Sequence, residues 1–328
     1  MKLHYLQNNK ELYILDEASR SINSFCIELV FTTCDLYCKF CPNIDIPEED
    51  IDARLKNCLI NFDKALSHCT ASDISVTITG TELFQDRFSD EQIAHILAAL
   101  QEINNIIDKY KKNATLYLES HLIIKKLDRI LPLLLSKKYI VYTSFDFADR
   151  FSKLGSLELF FKNCKILKDA GINLVISTVC HKKTINAFFN KEPLYYTWLD
   201  LYNKGYTLDF CLWQVTSHSE FNVTFEDQVK FFSFLYENYK DLLFFERLKG
   251  IKYLSKIERI DCASTIGIDN NKIKYRRCSI EDKAKYTKLF EENHQCYTCS
   301  YYKNCNKLCV CEHYKEKDCL LKALLDIV

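Results

Sequence analysis

The chain has 328 residues, of which 48% are hydrophobic, and 17 of them are cysteine. Its 44 basic and 44 acidic side chains give a formal net charge of zero, which argues against a nucleic-acid partner recognised through bulk charge. No apolar run is long enough to span a bilayer, and residues 1–12 lack the apolar core of a signal peptide. We therefore predict a cytoplasmic protein without nucleic-acid or membrane partners, in which so many cysteines indicate metal binding rather than disulfides.

Predicted strands and helices alternate about six times after a short lead-in, residues 1–22. Apolar and alternating runs predict strands at 25–31, 74–79, 115–119, 139–146, 173–179 and 207–214. Helical spacing predicts helices at 52–68, 90–111, 123–136, 157–170 and 193–203, and Pro132 is expected to kink or split the third of them. This alternation is typical of parallel βα units. A Phe- and Tyr-rich helical bridge, residues 225–258, follows, and most of its rings are expected to pack in the core.

Three cysteines follow the first predicted strand at Cys-x3-Cys-x2-Cys spacing, namely Cys34, Cys38 and Cys41. Three thiolates on a short loop can hold three irons of a cubane cluster and leave the fourth iron open for an exchangeable ligand. The alternatives are a zinc knuckle and a chance grouping, but a structural zinc site needs a nearby fourth Cys or His, and none lies in residues 42–57. With Phe40 before its last cysteine, the loop resembles the signature of the radical S-adenosylmethionine (SAM) enzymes.

That resemblance implies a [4Fe–4S] cluster whose open iron chelates the amino and carboxylate groups of SAM. One electron from the cluster splits SAM into methionine and a 5′-deoxyadenosyl radical, which removes a hydrogen atom from the substrate. The resemblance also implies an α/β fold, a partial (β/α)6 TIM-like barrel over residues 23–224, with chemistry at the carboxyl ends of its strands. An electron donor such as flavodoxin or ferredoxin is an implied partner.

Two further segments at predicted strand ends resemble motifs of the same family. Gly80-Thr81-Glu82 resembles the Gly-Gly-Glu segment that lies along the SAM amino group, with threonine in place of the second glycine. Taken alone, it would equally fit a strand-to-helix turn. Ser144-Phe145-Asp146 resembles a Ser-x-Asp segment that faces SAM and the substrate. The resemblance thus implies a set of SAM-binding residues: Phe40, Gly80, Thr81, Glu82, Ser120, Ser144, Asp146 and Arg150, the last as a partner of the SAM carboxylate.

A cysteine-rich segment, residues 259–328, ends the chain. Its central spacing, Cys-x2-Cys-x5-Cys-x3-Cys, resembles the SPASM extension of radical SAM enzymes, which holds two auxiliary iron–sulfur clusters. By that resemblance the first cluster is held by Cys262, Cys278 and Cys309, and the second by Cys296, Cys299, Cys305 and Cys319. The fourth ligand of the first cluster is not assigned, and Cys311 and a substrate group are the two alternatives. Cys262 and Cys278 flank a predicted hairpin that turns near residues 269–271. A zinc ribbon is the alternative to the two clusters.

The remaining cysteines are expected to be buried thiols, except one. Cys211 lies in the last predicted strand beside Trp213, where a thiol could donate a hydrogen atom to a substrate radical; a core cysteine is the alternative. The histidines show no metal-binding spacing. His181, at the end of the fifth predicted strand, is expected on the surface, with a position in the pocket as the alternative.

Enzymes that resemble this chain in both regions mostly oxidise or cross-link residues of peptides and proteins. The resemblance favours a radical SAM oxidoreductase that matures a ribosomally made peptide. A sulfatase-maturase-like protein oxidase is one alternative, although Ser279 stands where those enzymes have an aspartate, with Glu281 and Asp282 further on. A radical dehydrogenase of a small alcohol or sugar is another.

A non-enzymatic iron–sulfur electron carrier is the alternative from a different class. Such a protein would not need the segments 80–82 and 144–146, which disfavours it. The predicted barrel starts near residue 25, which leaves little room for an N-terminal domain that binds a leader peptide. Recognition of a peptide is therefore expected to use a separate leader-peptide-binding protein or the aromatic bridge.

Overall fold

The computed structural model describes residues 23–41, 48–212, 219–253, 265–270, 273–274 and 319–328. The predicted lead-in and all cysteines from Cys262 to Cys311 lie outside these ranges. In the described ranges, no helix combines the length and the apolar character needed to cross a membrane.

Eight strands form one sheet with the order β6-β5-β4-β3-β2-β1-β7-β8. The strands are β1 Ser24–Leu29, β2 Asp73–Gly80, β3 Asn113–Glu119, β4 Ile140–Phe145, β5 Asn173–Cys180, β6 Thr207–Leu212, β7 Thr265–Ile268 and β8 Ile273–Lys274. β1 to β7 form a seven-stranded parallel sheet, and β8 runs antiparallel to β7. This mixed α/β architecture is consistent with a partial TIM-like barrel, which confirms the predicted fold class. The cysteine-rich part of that prediction lies almost wholly outside the described residues.

Helices connect the strands of the sheet. They are α1 Ile51–Ser67, α2 Asp90–Lys109, α3 Leu131–Ser136, α4 Ser156–Asp169, α5 Lys182–Asn190, α6 Pro193–Asn203, α7 Phe225–Asn238, α8 Leu243–Tyr253 and α9 Leu320–Ile327. α2 begins with a capping box, in which Ser89 and Gln92 satisfy each other's backbone N–H groups. The predicted bridge helix is two helices, α7 and α8, because residues 239–242 interrupt it.

The predicted helix 123–136 is wrong in its first half. Only a 3₁₀ turn, Leu127–Arg129, and the short α3 form there, with Pro132 in the first turn of α3, where its missing N–H costs nothing. The Asn163 side chain explains why the first residues of the predicted helix are not helical. Its Nδ2 donates to the carbonyls of Leu122 at 2.9 Å and Ile124 at 2.7 Å. These bonds hold the segment as a loop at the carboxyl end of β3. Helix α5 was not predicted at all.

The described residues fall into two compact units. The first is drawn from 1–144, 149–175 and 264–277. The second is drawn from 145–148, 176–263 and 278–328. In the first unit, Phe25 of β1 packs edge-on against Phe62 of α1, with 5.9 Å between ring centroids. In the second unit, the Phe188 ring lies 4.9 Å from Trp198 and 5.3 Å from Phe231. Five of the eight aromatic residues between Phe225 and Phe245 are buried, as predicted for most of the bridge: Phe231, Phe232, Tyr239, Phe244 and Phe245.

A hairpin extends the sheet beside β1 in the first unit. β7 and β8 pair with Ile268 opposite Ile273, which confirms the strands of the predicted hairpin. β7 also pairs in parallel with β1, with Ser24 opposite Thr265, a contact that was not predicted. The Asn61 side chain of α1 donates to the Asp269 carbonyl at 2.8 Å and so anchors the turn.

Candidate functional site

The predicted cluster loop lies at the carboxyl end of β1. Cys34 and Cys41 are half-buried, Cys38 is buried, and all three are thiols rather than disulfides. The amide of Tyr37 donates to the Cys34 carbonyl at 3.3 Å, and that of Cys41 donates to the Cys38 carbonyl at 2.9 Å. Tyr37 has a φ of +50°, a left-handed conformation that turns the chain between the first two cysteines. Phe40 is buried in the same loop.

The donor set of this loop fits an iron–sulfur cluster, because soft thiolates on one short loop are the ligands that such clusters use. Within the described residues, the Cys34 thiol also lies within 4.8 Å of ligand atoms of Asp35 and His121. His121 Nε2 and Asp35 Oδ1 are hydrogen-bonded to each other at 3.1 Å. That bond already occupies these two atoms, and Cys34, Cys38 and Cys41 stay the predicted ligand set.

Gly80 ends β2 directly beside the last residue of β1. Its partner across the two strands is Leu29. Its φ of +153° lies outside the range that other residues readily adopt, and a Cβ atom there would lie 2.0 Å from the Leu29 carbonyl oxygen. Only glycine lets the two strands approach so closely where the cluster loop begins.

Thr81 and Glu82 are both buried. The Thr81 hydroxyl oxygen has no hydrogen-bond partner among the described residues, which is uncommon for a buried hydroxyl. The Glu82 carboxylate has three donors: Ser120 Oγ at 2.9 Å, the His121 amide at 2.7 Å and the Phe84 amide at 3.1 Å. Glu82 therefore joins the loop after β2 to the loop after β3, and it brings the predicted residue Ser120 into the same network.

His121 lies between two carboxylates. Besides its bond to Asp35, its Nδ1 lies 3.4 Å from Glu82 Oε2 and accepts from the Ile123 amide at 2.9 Å. Burial alone would lower the pKa of His121, but the charge of Glu82 and the hydrogen bond to Asp35 raise it above its usual value. The Ile123 amide acts against that rise, because its bond to Nδ1 needs an unprotonated nitrogen. Burial alone would raise the pKa of Asp35, but His121 and Lys153 outweigh it and lower that pKa.

Other polar side chains of the first unit also hold the cluster loop. Arg87, which follows β2, donates from Nη2 to Thr32 Oγ1 at 3.1 Å and to the Thr33 carbonyl. Lys153, which follows β4, donates to the Asp35 carbonyl. In the same region, Asp149 accepts from the Lys39 amide at 3.2 Å. The backbone of residues 32–39 is thus bound by side chains that follow two other strands, β2 and β4.

The predicted residues at and after the end of strand β4, Ser144, Asp146 and Arg150, have different surroundings. Ser144 and Arg150 are half-buried and belong to the first unit. Asp146 belongs to the second unit and is buried, with its Oδ1 3.0 Å from His181 Nε2. The expectation of a surface histidine at 181 is wrong. His181 is fully buried because it caps α5, accepting from the Thr184 amide at 3.2 Å while it pairs with Asp146.

Cys211 is exposed on β6, so the alternative of a buried core cysteine is wrong, and its role as a hydrogen donor stays a prediction. Its Sγ lies 2.9 Å from Ser177 Oγ of β5. Asp209, two residues earlier on the same face of the strand, pairs with Arg247 of α8 at 2.7 Å. Burial of Asp209 raises its pKa despite that partner. The cysteines that were expected to be buried are indeed buried: Cys26, Cys58, Cys69, Cys164 and Cys180.

Cys319 is the one predicted auxiliary-cluster ligand that the described residues include. It is the N-cap of α9, and its Sγ accepts from the Lys322 amide at 3.4 Å. An N–H group at a helix N-terminus favours the thiolate over the thiol. Leu324 and Leu325 of the same helix are fully buried, so the position of Cys319 is fixed by packing.

Several solved structures share this fold. The histidine-tagged anaerobic sulfatase-maturating enzyme anSMEcpe with bound AdoMet has a TM-score of 0.62 and 13% identity, over 87% of this chain and 88% of that chain. Native anSMEcpe with bound AdoMet and a Cp18Cys peptide has a TM-score of 0.61 and 13% identity, over 86% and 87%. The native enzyme with AdoMet and a Kp18Cys peptide has a TM-score of 0.60 and 13% identity, over 86% and 88%. No protein-family model matches the sequence, and no curated protein matches it.

Proposed function

We propose that the chain is a radical SAM enzyme. The observation that carries the proposal is local to the first unit. The loop of Cys34, Cys38 and Cys41 lies at the carboxyl end of β1, beside the glycine that ends β2, and hydrogen bonds connect it to the Glu82–Ser120 network. The fold that this chain shares with AdoMet-bound anSMEcpe supports the proposal. When bound, a [4Fe–4S] cluster with SAM on its open iron would supply reductive cleavage of SAM and a radical that takes hydrogen from the substrate.

The residues around the loop would bind and orient SAM. Gly80 lets the ends of β1 and β2 meet beside the cluster loop, and we assign its backbone to the methionyl end of SAM. The buried Thr81 hydroxyl is available to a polar group of the cofactor. A carboxylate accepts about four hydrogen bonds, and the structure occupies three of those on Glu82. We assign the remaining one to the SAM ammonium, Ser144 to the ribose side and Arg150 to the SAM carboxylate. Phe40, Ser120 and Asp146 complete the proposed set.

We further propose two auxiliary iron–sulfur clusters, held by the cysteines named above between Cys262 and Cys319. The helix N-terminus that donates to Cys319 Sγ supports its use as a thiolate. Such clusters suit oxidative chemistry, because they can accept the electron that remains on the substrate after hydrogen abstraction. A reduced flavodoxin or ferredoxin would supply the first electron.

The proposed substrate is a peptide or protein whose residue is cross-linked or oxidised, as in maturation of a ribosomal peptide. The anSMEcpe structures with bound peptides support a peptide partner. A sulfatase-maturase-like protein oxidase is the second candidate, because those structures are of a sulfatase-maturating enzyme. Ser279 in place of the family aspartate disfavours it.

A cleavage assay tests the proposal. The full chain is reconstituted anaerobically with iron and sulfide, reduced, and incubated with SAM, and 5′-deoxyadenosine is measured together with iron content. The triple variant Cys34→Ala, Cys38→Ala, Cys41→Ala should lose one cluster and all cleavage. Cys69→Ala, which removes a buried thiol beyond the carboxyl end of α1, is the matched control and should cleave normally. Full cleavage by the triple variant would refute the proposal.

A further inference from the structure

A buried side chain, His121, lies between the cluster loop and the proposed SAM-binding segment. His121 bonds Asp35 of the loop at 3.1 Å on one side of its ring. On the other side, its ring and its backbone amide lie 3.4 Å and 2.7 Å from Glu82 Oε2. Asp35 is adjacent to Cys34, and its Oδ1 lies 3.7 Å from the Cys34 thiol. A chain of polar contacts therefore runs from Glu82 through His121 and Asp35 to the first proposed cluster ligand.

The orientation of the His121 ring is fixed by its backbone neighbour. The Ile123 amide donates to Nδ1 at 2.9 Å, so a neutral ring carries its proton on Nε2 and directs it at Asp35. The segment that carries Ile123 is itself held by Asn163, which donates to the carbonyls of Leu122 and Ile124. With the ring held in this way, the Asp35 side chain has one preferred position, and so has the start of the cluster loop.

We propose that His121 is a positioning residue, which fixes the cluster loop relative to the SAM-binding segment by holding Asp35. This inference rests on the proposed radical SAM function. His121 itself touches neither the reacting atoms nor the irons in this role. Without its Nε2–H, the Asp35 side chain would be free to leave its position, and the Cys34 end of the loop would keep its contacts to Arg87 and Lys153 but lose the one to His121.

Two substitutions test the hydrogen bonds of the two His121 ring nitrogens separately. A glutamine amide can place a donor where Nε2 lies, so His121→Gln retains the bond to Asp35. An asparagine amide can place an acceptor where Nδ1 lies, so His121→Asn retains the bond from Ile123 but does not reach Asp35. If His121 acts through Asp35, the Gln variant should function and the Asn variant should resemble His121→Ala. A general loss of packing around residue 121 would affect the Gln and Asn variants alike.

The experiment uses the full chain with reconstituted iron. Iron content, the SAM dissociation constant from the SAM-dependent change in the EPR signal of the reduced cluster, and the rate of SAM cleavage are measured for each variant. We expect His121→Ala, His121→Asn and Asp35→Ala to retain the cluster, to raise the SAM dissociation constant about tenfold and to slow cleavage, as loss of one buried hydrogen bond would. His121→Gln should remain within about threefold of the unsubstituted chain.

Two further variants complete the design. The double variant His121→Ala, Asp35→Ala should be no worse than either single variant, because both remove the same bond. His95→Ala is the matched control, since it breaks an exposed 2.7 Å pair with Asp52 away from the loop, and it should change nothing.

The outcomes separate this inference from the proposed function. If the unsubstituted chain binds no cluster and cleaves no SAM, both fail. If the unsubstituted chain binds a cluster and cleaves SAM, and the His121→Asn variant equals it in SAM affinity and cleavage, only the positioning role is overturned. A Gln variant as defective as the Asn variant would also overturn it, because the bond to Asp35 would then not be what matters. Should His121→Ala fail to fold, the Gln and Asn pair still decides, with thermal unfolding showing that both are folded.

Discussion

A Cβ atom on Gly80 would lie 2.0 Å from the carbonyl oxygen of Leu29, far inside van der Waals contact. The two residues end neighbouring strands, and the cluster loop begins a few residues beyond Leu29. Gly80→Ala should therefore force the ends of β1 and β2 apart. We expect a loss of about 2 kcal/mol or more in the free energy of unfolding, measured in urea, because steric overlap and a positive φ act together.

Gly171→Ala is the control for the steric part of that loss. Gly171 also has a positive φ, +73°, but a Cβ atom there would have no atom within 4 Å. Its replacement should cost only about 1 kcal/mol for the backbone conformation. Equal losses for the two variants would contradict the close approach of β1 and β2.

The buried Thr81 hydroxyl gives a prediction with opposite signs for two measurements. Without a partner among the described residues, the hydroxyl is a cost to the folded chain, and Thr81→Val removes it while it retains the shape. The free energy of unfolding of the protein without cofactor should rise by about 1 kcal/mol. If the hydroxyl bonds SAM, the same variant should raise the SAM dissociation constant about tenfold.

Thr81→Ser is the matched variant, because it retains the hydroxyl and removes only a methyl group. It should bind SAM nearly as the unsubstituted chain does. A valine variant that gains stability and binds SAM normally would show that the hydroxyl does not touch the cofactor.

The order of strands and helices could be predicted because each element shows its own periodicity in sequence. Where the prediction failed, tertiary contacts decided the local structure. Asn163 holds the carbonyls of Leu122 and Ile124, which keeps the start of the predicted third helix in a loop. Helix α5 begins with His181, whose ring does the capping that Ser, Thr, Asp or Asn more often does, so its start has no recognisable signal.

The site was predictable only where its residues form a local motif. The segments of Cys34 to Cys41 and Gly80 to Glu82 are contiguous, so their pattern is visible in the sequence. Asp35 and His121 are 86 positions apart, and only the parallel alignment of β1 to β3 brings their loops together. The one available signal was that His121 follows the end of a predicted strand, as the motif residues do.

Replacement of Glu82 should weaken both the protein and the cofactor site. Glu82→Ala leaves the Ser120 hydroxyl and the His121 and Phe84 amides buried without their acceptor, which should cost about 3 kcal/mol in the free energy of unfolding. Loss of its bond to the SAM ammonium should raise the SAM dissociation constant about ten- to a hundredfold. Glu102→Ala, on the exposed face of α2, should change neither quantity. A stable Glu82→Ala variant would contradict the buried network.

Cys319 offers a test of the auxiliary clusters that separates metal binding from helix capping. Cys319→Ser replaces the thiol with a hydroxyl that caps α9 well but binds iron poorly, whereas Cys319→Ala removes both functions. If Cys319 binds a cluster, both variants should lose iron relative to the unsubstituted chain, by about one cluster. Only the alanine variant should also lose helix-cap stability, about 1 kcal/mol. Iron is counted after anaerobic reconstitution, and stability is measured on the metal-free chain.

Cleavage of SAM alone should persist in both Cys319 variants, because the proposed SAM contacts all precede residue 214. Substrate turnover should fail. Unchanged iron in the serine variant would remove Cys319 from the ligand set, and zinc in place of iron in anaerobically purified protein would overturn the redox role.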